Sequence, residues 1–394
     1  MVSEYVEAGI GQKTQAGVLG VSLASAFLCG VNLTVFGPLE TWIVDELSIS
    51  HSLAGLIQSS YFIGNVVGSL VAGSLLYHVP RKTFGLASVL LIALGSALCG
   101  IRYYELIVAG RFISGVGNSC SVIFFCSIIV HGFESSQASL LNLYHAILAG
   151  GAMLTLLGAR TMGAAGGTWT IPLWGTALMA VVLAVVLAPQ SLPAMGEGER
   201  VDLRAIGTIL RHPILIATLF LFIGYNVAEE GLVTFFAAFA EQERHFAVRT
   251  AAQMGALYWL GVGFGRLASA VASRKLGERI QIIVCAVAAS LFLLCSLVAP
   301  GRFGVSLAVF AAGIAAGPVI PLAVSYVVRE VRVLKATVLS ICNVVCCAGG
   351  AVGPAMAGHL GDQWSLLAGL SVVYLLLLIS VLPLARLGLR RAGH

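Results

Sequence analysis

Charge is what this sequence has least of. Asp, Glu, Lys and Arg make up 10% of its 394 residues, where a soluble globular chain carries about 25%. Hydrophobic residues supply 59%. No water-soluble domain hides that much apolar surface, so the class is an integral membrane protein, and an all-α one is expected. Long polar segments are also scarce: the one extended stretch runs from Gln190 to His212, which leaves no room for a soluble catalytic domain. The chain has no His-Glu-x-x-His pair and no nucleophile-elbow serine, and no Lys-Ser follows Gly115-Val116-Gly117 to make a phosphate loop. An enzyme is therefore not expected, and neither is a cofactor or a metal. Cys29, Cys99, Cys120, Cys126, Cys285, Cys295, Cys342, Cys346 and Cys347 all fall inside apolar runs, which argues against a disulfide framework. Met1 to Thr14 is polar and mixed in charge, unlike a cleaved signal peptide.

What is present is a series of apolar runs. A helical span needs about 20 apolar residues. Twelve such runs lie at 15–43, 52–77, 84–101, 105–130, 138–160, 169–189, 213–240, 251–273, 280–299, 305–327, 336–360 and 365–387. The polar stretch divides them six and six. The expected organisation is an N-terminal six-helix bundle over 1–189, a cytoplasmic linker over 190–212 and a C-terminal six-helix bundle over 213–394. Within the linker, Leu203, Ile206 and Leu210 set against Arg204 and Arg211 suggest a short amphipathic helix on the membrane surface. With the N-terminus inside, fifteen Lys and Arg residues fall on the cytoplasmic side (among them Lys13, Arg81, Lys82, Arg200, Arg274, Lys275, Arg329 and Arg390). Only Arg102, Arg244, Arg249 and Arg302 fall outside. That bias predicts a multi-pass cell-membrane protein with both termini cytoplasmic, and it accounts for the net charge of +5 without a nucleic-acid partner.

The two halves echo one another. Gly30-x-Asn32-x4-Gly37 recurs as Gly224-x-Asn226-x4-Gly231, at an offset of 194. Tyr61-Phe62-Ile63-Gly64 with Gly68 recurs as Tyr258-Trp259-Leu260-Gly261 with Gly265, at 197. Ala149-Gly150-Gly151-Ala152 recurs as Ala348-Gly349-Gly350-Ala351, at 199. Three matches in order at nearly constant offset point to a duplicated six-span unit. An even number of spans per copy makes the repeats parallel, and in transporters built this way the solute binds near the membrane midplane.

The second copy of the first motif carries two acids, Glu229 and Glu230, at the depth of the membrane. An acidic residue at a helix centre costs about +2.5 to +3.5 kcal/mol on insertion scales and marks a solute or ion path by default. Tyr225–Glu229 and Asn226–Glu230 are i,i+4 pairs, and the two acids point about 100° apart on a helix. A carboxylate in a partly dry cavity can bind and release a proton near neutral pH; a structural hydrogen bond to a neighbouring helix is the alternative. Arg111 is either a coupling residue or a snorkelling anchor. Asn32, Phe36 and Glu40 form one helical stripe, with Asn32 facing a solute or bridging helices and Glu40 at the outer mouth. His145 is read as titratable or packed, Arg266 as a coupling, snorkelling or helix-capping residue, and Tyr258 and Trp259 as stacking on a sugar ring or packing.

Several motifs resemble the major facilitator superfamily. Gly73-Ser74-Leu75-Leu76-Tyr77-His78-Val79-Pro80-Arg81-Lys82 is similar to that family's loop signature, with Tyr77 and Pro80 where it has Asp and Gly. Ser273-Arg274-Lys275-Leu276-Gly277-Glu278-Arg279 is a looser copy. Arg111-x3-Gly115-x-Gly117 resembles the family signature associated with proton coupling. More narrowly, Tyr225-x-x-Ala228-Glu229, Tyr258-Trp259-x-Gly261-x3-Gly265-Arg266 and Leu141-Asn142-x-x-His145 resemble the fucose and glucose/galactose branch of hexose–proton symporters. That branch has acids in spans one and four; this chain has Asn32 and Asn118 in those regions.

The resemblance implies the major facilitator fold and transport of a small polar solute, with a sugar as the candidate, by alternating access and with a proton. It implies proton coupling at Glu229, Glu230 and Arg111. Solute contacts would come from Asn32, Phe36, Tyr225, Asn226, Trp259, His145 and Asn142, and loop or gating roles from Arg81, Lys82, Arg274 and Lys275. The partners expected are a small solute, protons and the lipid bilayer, for a monomer. The alternative is a proton-driven exporter of an amphipathic or anionic metabolite or drug.

Overall fold

The computed structural model is all-α and describes residues 12–76, 78–133, 137–164, 167–192, 206–272, 277–331 and 335–392. In chain order its helices are α1 (Gln12–Thr34), α2 (Glu40–Leu47) after a 3-10 turn at Gly37–Leu39, α3 (His51–Leu75), α4 (Arg81–Cys99), α5 (Tyr104–Gly132), α6 (Gln137–Ala164), α7 (Thr170–Leu187), α8 (Ile206–Ile209) and α9 (Pro213–Gln242). Then come α10 (Val248–Ala272), α11 (Glu278–Val298), α12 (Gly301–Ala316), α13 (Val319–Val331), α14 (Lys335–Gln363), α15 (Leu366–Ser380) and α16 (Leu382–Ala392). With α1–α2, α12–α13 and α15–α16 each counted as one span and the linker turn α8 set aside, these follow the twelve apolar runs in order. Ten helical stretches among the described residues are long and apolar enough to cross a membrane, with Leu143–Gly158 a shorter apolar one. Of the linker helix expected between 203 and 211, the described part is the single turn α8; Arg204 lies outside the described residues.

The helices are apolar on more than one face. In α7, Leu173, Ala177, Ala180, Leu183 and Leu187 are buried, while Trp174, Leu178, Val182 and Val185 form the opposite stripe, with Leu178 at 65% and Val185 at 67% exposure. Water would not tolerate so continuous an apolar face, and hydrocarbon suits it.

Two compact units make up the chain. The first takes Met1–Val35, Ile63–Thr155 and Thr168–Glu199; the second takes Phe36–Phe62, Leu156–Gly167 and Arg200–His394. The core of the first gathers Phe84 of α4, Phe124 and Phe125 of α5, Tyr144 of α6 and Leu183 of α7. Its α3 and α5 meet closely at Gly64 and Gly68, where a Cβ would run into the main chain at Phe112 and Val116. In the second unit α10 meets α12 the same way, with Gly261 against Phe310 and Gly265 against Ile314. The third repeated motif differs between the copies: Gly151 packs on the main chain of Phe27 in the first unit, whereas its counterpart Gly350 lies against the ring of Phe62 in the second. The glycine pairs Gly64/Gly68 and Gly261/Gly265 thus mark a duplicated helix contact, since only a residue without a Cβ lets backbones approach so far.

Prolines interrupt two of the expected spans. Pro38 has no N–H for the carbonyl of Thr34, and α1 stops there. The stripe expected from Asn32 through Phe36 to Glu40 is therefore not continuous: Asn32 is in α1, Phe36 lies beyond its end, and Glu40 opens α2. Glu40 is also fully buried rather than at an open mouth, because the ring Nδ1 of His51 sits 2.7 Å from its Oε1. The second interruption, Gly317-Pro318, separates α12 from α13. Arginines near helix ends cover exposed carbonyls: Arg244 donates to Leu297 and Ala299 at 2.5 and 2.6 Å, and Arg279 to Leu384 and Ala385, each at 2.9 Å.

Candidate functional site

The second unit places the acid-bearing segment in the middle of α9. Glu229 is half-buried, and its Oε1 accepts two phenol hydrogens: Tyr225 OH at 3.0 Å from one turn earlier and Tyr258 OH at 2.9 Å from α10. Tyr225 is there because i and i+4 side chains meet on a helix. Tyr258 is there because the glycine contacts of α10 fix that helix on α12 (Gly313 in turn lies against the Tyr258 carbonyl). Arg266, two turns on from Tyr258, brings its guanidinium into electrostatic reach of Glu229. Its Nε donates to the carbonyl of Gly317 at 3.4 Å, so it caps a helix end.

That carbonyl needs a donor from elsewhere. The residue four positions on, Pro321, has no N–H to offer it, and Pro318 likewise offers none to Ile314. Tyr225 reaches the same break, its OH lying 3.3 Å from the oxygen of Ala316. One carboxylate, two phenols, one guanidinium and the opened main chain between α12 and α13 thus form a single cluster.

Glu230 points elsewhere. It is 3% exposed, on the part of α9 where Gly353 of α14 packs on Val227, and Cys347 is within its electrostatic reach. The expected Asn226–Glu230 pair gives way to another bond, since Asn226 Nδ2 donates back to Phe222 O at 2.9 Å within its own helix. Trp259 is buried edge-on to Tyr258, ring centres 6.0 Å apart, and its indole N–H has no acceptor among the described residues.

The first unit builds a second polar cluster. Arg111 of α5, 1% exposed, donates through Nη1 to the main-chain oxygen of Asn32 in α1 at 2.8 Å. Asn32 answers across the same contact, its Nδ2 donating to Ser114 O at 3.3 Å and Asn118 Oδ1 at 3.4 Å. Both residues bridge helices here, and Arg111 is no surface anchor. His145 is exposed on α6, edge-on to Tyr144 at 5.6 Å, and Phe36 is buried in the second unit. Arg81 and Lys82 open α4 beside a crevice of about 630 Å³. The side chain of Asn142, and Arg274 and Lys275, lie outside the described residues.

Sequence reasoning missed four contributors. Tyr258 was legible as an aromatic but not as a partner of Glu229. Ser114 and Asn118 sit 82 and 86 residues from Asn32. Asp362 holds the start of α3, accepting from the main-chain N–H groups of His51 at 2.9 Å and Ser52 at 2.7 Å and from the Ser52 hydroxyl.

Comparison with known proteins extends these observations. The family model described as Major Facilitator Superfamily matches residues 22–354. The chain is 32% identical over 89 residues to a gentisate transporter of Corynebacterium glutamicum, covering 22% of this chain and 20% of that protein. It is 26% identical over 201 residues to the arabinose-proton symporter of Escherichia coli K12, covering 48% of this chain and 42% of that protein. The matches thus span less than half the length of these relatives. Among solved structures, a bacterial homologue of the human lysosomal transporter Spinster, inward-facing and occupied, superposes with a TM-score of 0.82 at 14% identity, over 95% of this chain and 97% of that one. The nucleoside transporter NupG superposes at 0.77 and 14% identity, over 95% and 98%. At that identity these two speak for the fold.

Proposed function

The chain belongs to the Major Facilitator Superfamily, a family of transporters and not of enzymes, and from that membership we propose that it moves a small polar solute across the membrane together with a proton. Its two halves, 1–189 and 213–394, are the duplicated bundles of an alternating-access carrier in the cell membrane, with both termini in the cytoplasm.

The observation that carries the proposal is the setting of Glu229. An acid in the middle of an apolar helix is retained there for a reason, and two phenols converge on a single oxygen of it. Such a carboxyl has partners in either state: ionised, it accepts from both phenols, and protonated, it has a hydrogen to donate. Glu230, one residue on and more deeply buried, is the second candidate carrier. Arg111, bound to the span-one main chain, is the third residue of the proposed coupling set. For the solute, the buried indole N–H of Trp259 is a donor awaiting an acceptor, and a buried donor left unmet costs about 1–3 kcal/mol. A hydroxyl or ring oxygen of a sugar fits that need. The resemblance to hexose–proton symporters and the similarity to an arabinose-proton symporter support a sugar.

Linkage supplies the experiment, because solute binding must change proton binding if the two are coupled. A thermal-shift screen of sugars, nucleosides and aromatic acids identifies the stabilising solute. Adding that solute to weakly buffered protein in detergent then produces a measurable proton uptake. The uptake is lost in the Glu229→Gln, Glu230→Gln double variant; uptake of undiminished size there overturns the proposal.

A further inference from the structure

Tyr225 has one hydroxyl hydrogen and two acceptors within reach. Glu229 Oε1 is at 3.0 Å and the main-chain oxygen of Ala316 at 3.3 Å. It cannot donate fully to both. An ionised carboxylate is the stronger acceptor, since charge-assisted bonds are roughly twice as strong as neutral ones. Neutral Glu229 competes less well, and its own hydrogen can go to a phenol oxygen. The Tyr225 hydrogen is then released to Ala316.

The acceptor it turns to is no ordinary helix carbonyl. Ala316 is the last residue of α12, followed by Gly317-Pro318, with α13 beginning at Val319. Pro318 and Pro321 remove two main-chain donors from this stretch, so the geometry of the break depends on side chains. Arg266 supplies one of them, to Gly317, and Arg266 is also the cation nearest to balancing Glu229. The two side chains that hold the break are thus the two that sense the charge on Glu229.

We propose that Tyr225 is a positioning residue that passes the protonation state of Glu229 to the break between α12 and α13, donating to the carboxylate when Glu229 is ionised and to Ala316 O when it is neutral. The inference rests on the reading of Glu229 as a proton carrier. The titratable and charged groups facing Glu229 are Tyr225 on its own helix, Tyr258 and Arg266 on α10, and Cys346 on α14; residues 316–319 contribute main chain only. Tyr258 bonds the carboxylate and lies within hydrogen-bond reach of the Tyr225 phenol, but among the described residues its hydroxyl makes no bond to the break, so it serves as the comparison variant.

Hydrogen exchange of peptides covering 316–324, measured on the full-length protein in detergent at one pH, tests the relay. Glu229→Gln, which mimics the neutral acid, is expected to slow exchange after the break about fivefold, the effect of one hydrogen bond. Tyr225→Phe is expected to leave exchange near that of the parent protein, where Tyr225 serves the carboxylate, and to abolish the response to Glu229→Gln, so that the double variant matches Tyr225→Phe alone. In the Tyr258→Phe background the response to Glu229→Gln persists. An equal response to Glu229→Gln with and without the Tyr225 hydroxyl overturns the relay, and so does no response in the otherwise unchanged protein.

A measurement without substitution guards against variants that fail to fold. The carboxyl infrared band that changes with pH is followed beside exchange corrected for its intrinsic pH dependence, and both are expected to share one midpoint. A titrating carboxyl with an indifferent break overturns the relay and leaves the proton carrier standing. Absence of any titrating carboxyl overturns the proposed function and the relay with it.

Discussion

Arg111 holds Asn32 by the main chain, not by the side chain: Nη1 donates to the Asn32 carbonyl at 2.8 Å, while the Asn32 amide reaches back to Ser114 and Asn118. The arginine of α5 and the asparagine of α1 therefore form one reciprocal lock, buried to within 1% on each side.

Replacing Arg111 tests that lock. Arg111→Ala leaves the Asn32 carbonyl without this donor in a dry setting, which costs about 1–3 kcal/mol or more since the donor is charged. Arg111→Lys keeps the charge but has neither the length nor the planar fork of the guanidinium, so it is expected to rescue little. Unfolding in detergent should show both variants less stable, with Asn32→Ala milder because its carbonyl remains to receive Arg111. Equal stability of Arg111→Lys and the parent protein would remove the geometric argument.

The duplicated glycines allow a comparison inside one helix. A Cβ at Gly265 would run into the main chain at Ile314, whereas at Gly263, two residues away, it would meet nothing within 4 Å. Gly265→Ala should push α10 off α12 and cost about 1–3 kcal/mol, as overpacking does. Gly263→Ala should be neutral or stabilising by about 0.5–1 kcal/mol, the helix-propensity gain over glycine. Thermal unfolding of the two single variants reads the difference directly; similar melting temperatures would mean the contact is not close.

These contacts also show what was legible in the chain itself. The membrane-spanning helices and the three repeated motifs could be read because hydrophobic length and glycine spacing are local signals. The pairing of Tyr225 with Glu229 was legible too, since four residues make one helical turn. Tyr258 as the second donor to Glu229 was not, because it depends on how far α10 sinks onto α12. The breaks at Pro38 and Pro318 were hidden inside runs apolar enough to pass as single spans. Glu40, expected at an outer mouth, is buried against His51, because a partner eleven residues away across a turn leaves no periodic trace.

Asp362 offers the last test. It lies at the end of α14, and both of its oxygens receive hydrogen bonds from the first turn of α3: from the N–H of His51 to Oδ1, and from the N–H and hydroxyl of Ser52 to Oδ2. The residue before His51, Ser50, bonds the N–H of Leu53 only at 3.3 Å, so Asp362 serves as the main N-cap, supplied from 310 residues away. An N-cap is worth about 0.5–2 kcal/mol, and the negative charge at a helix N-terminus adds about 0.3–1 kcal/mol. Asp362→Ala should lose both contributions, and Asp362→Asn, whose single amide oxygen still accepts, the charge and the bonds made to one of the two oxygens. Hydrogen exchange over residues 51–56 should therefore rise most in Asp362→Ala and less in Asp362→Asn. The start of α14 is distant from the cap and serves as the unaffected reference. If the alanine variant leaves exchange at the start of α3 unchanged, the helix is held by its apolar packing alone and Asp362 is an ornament of the loop.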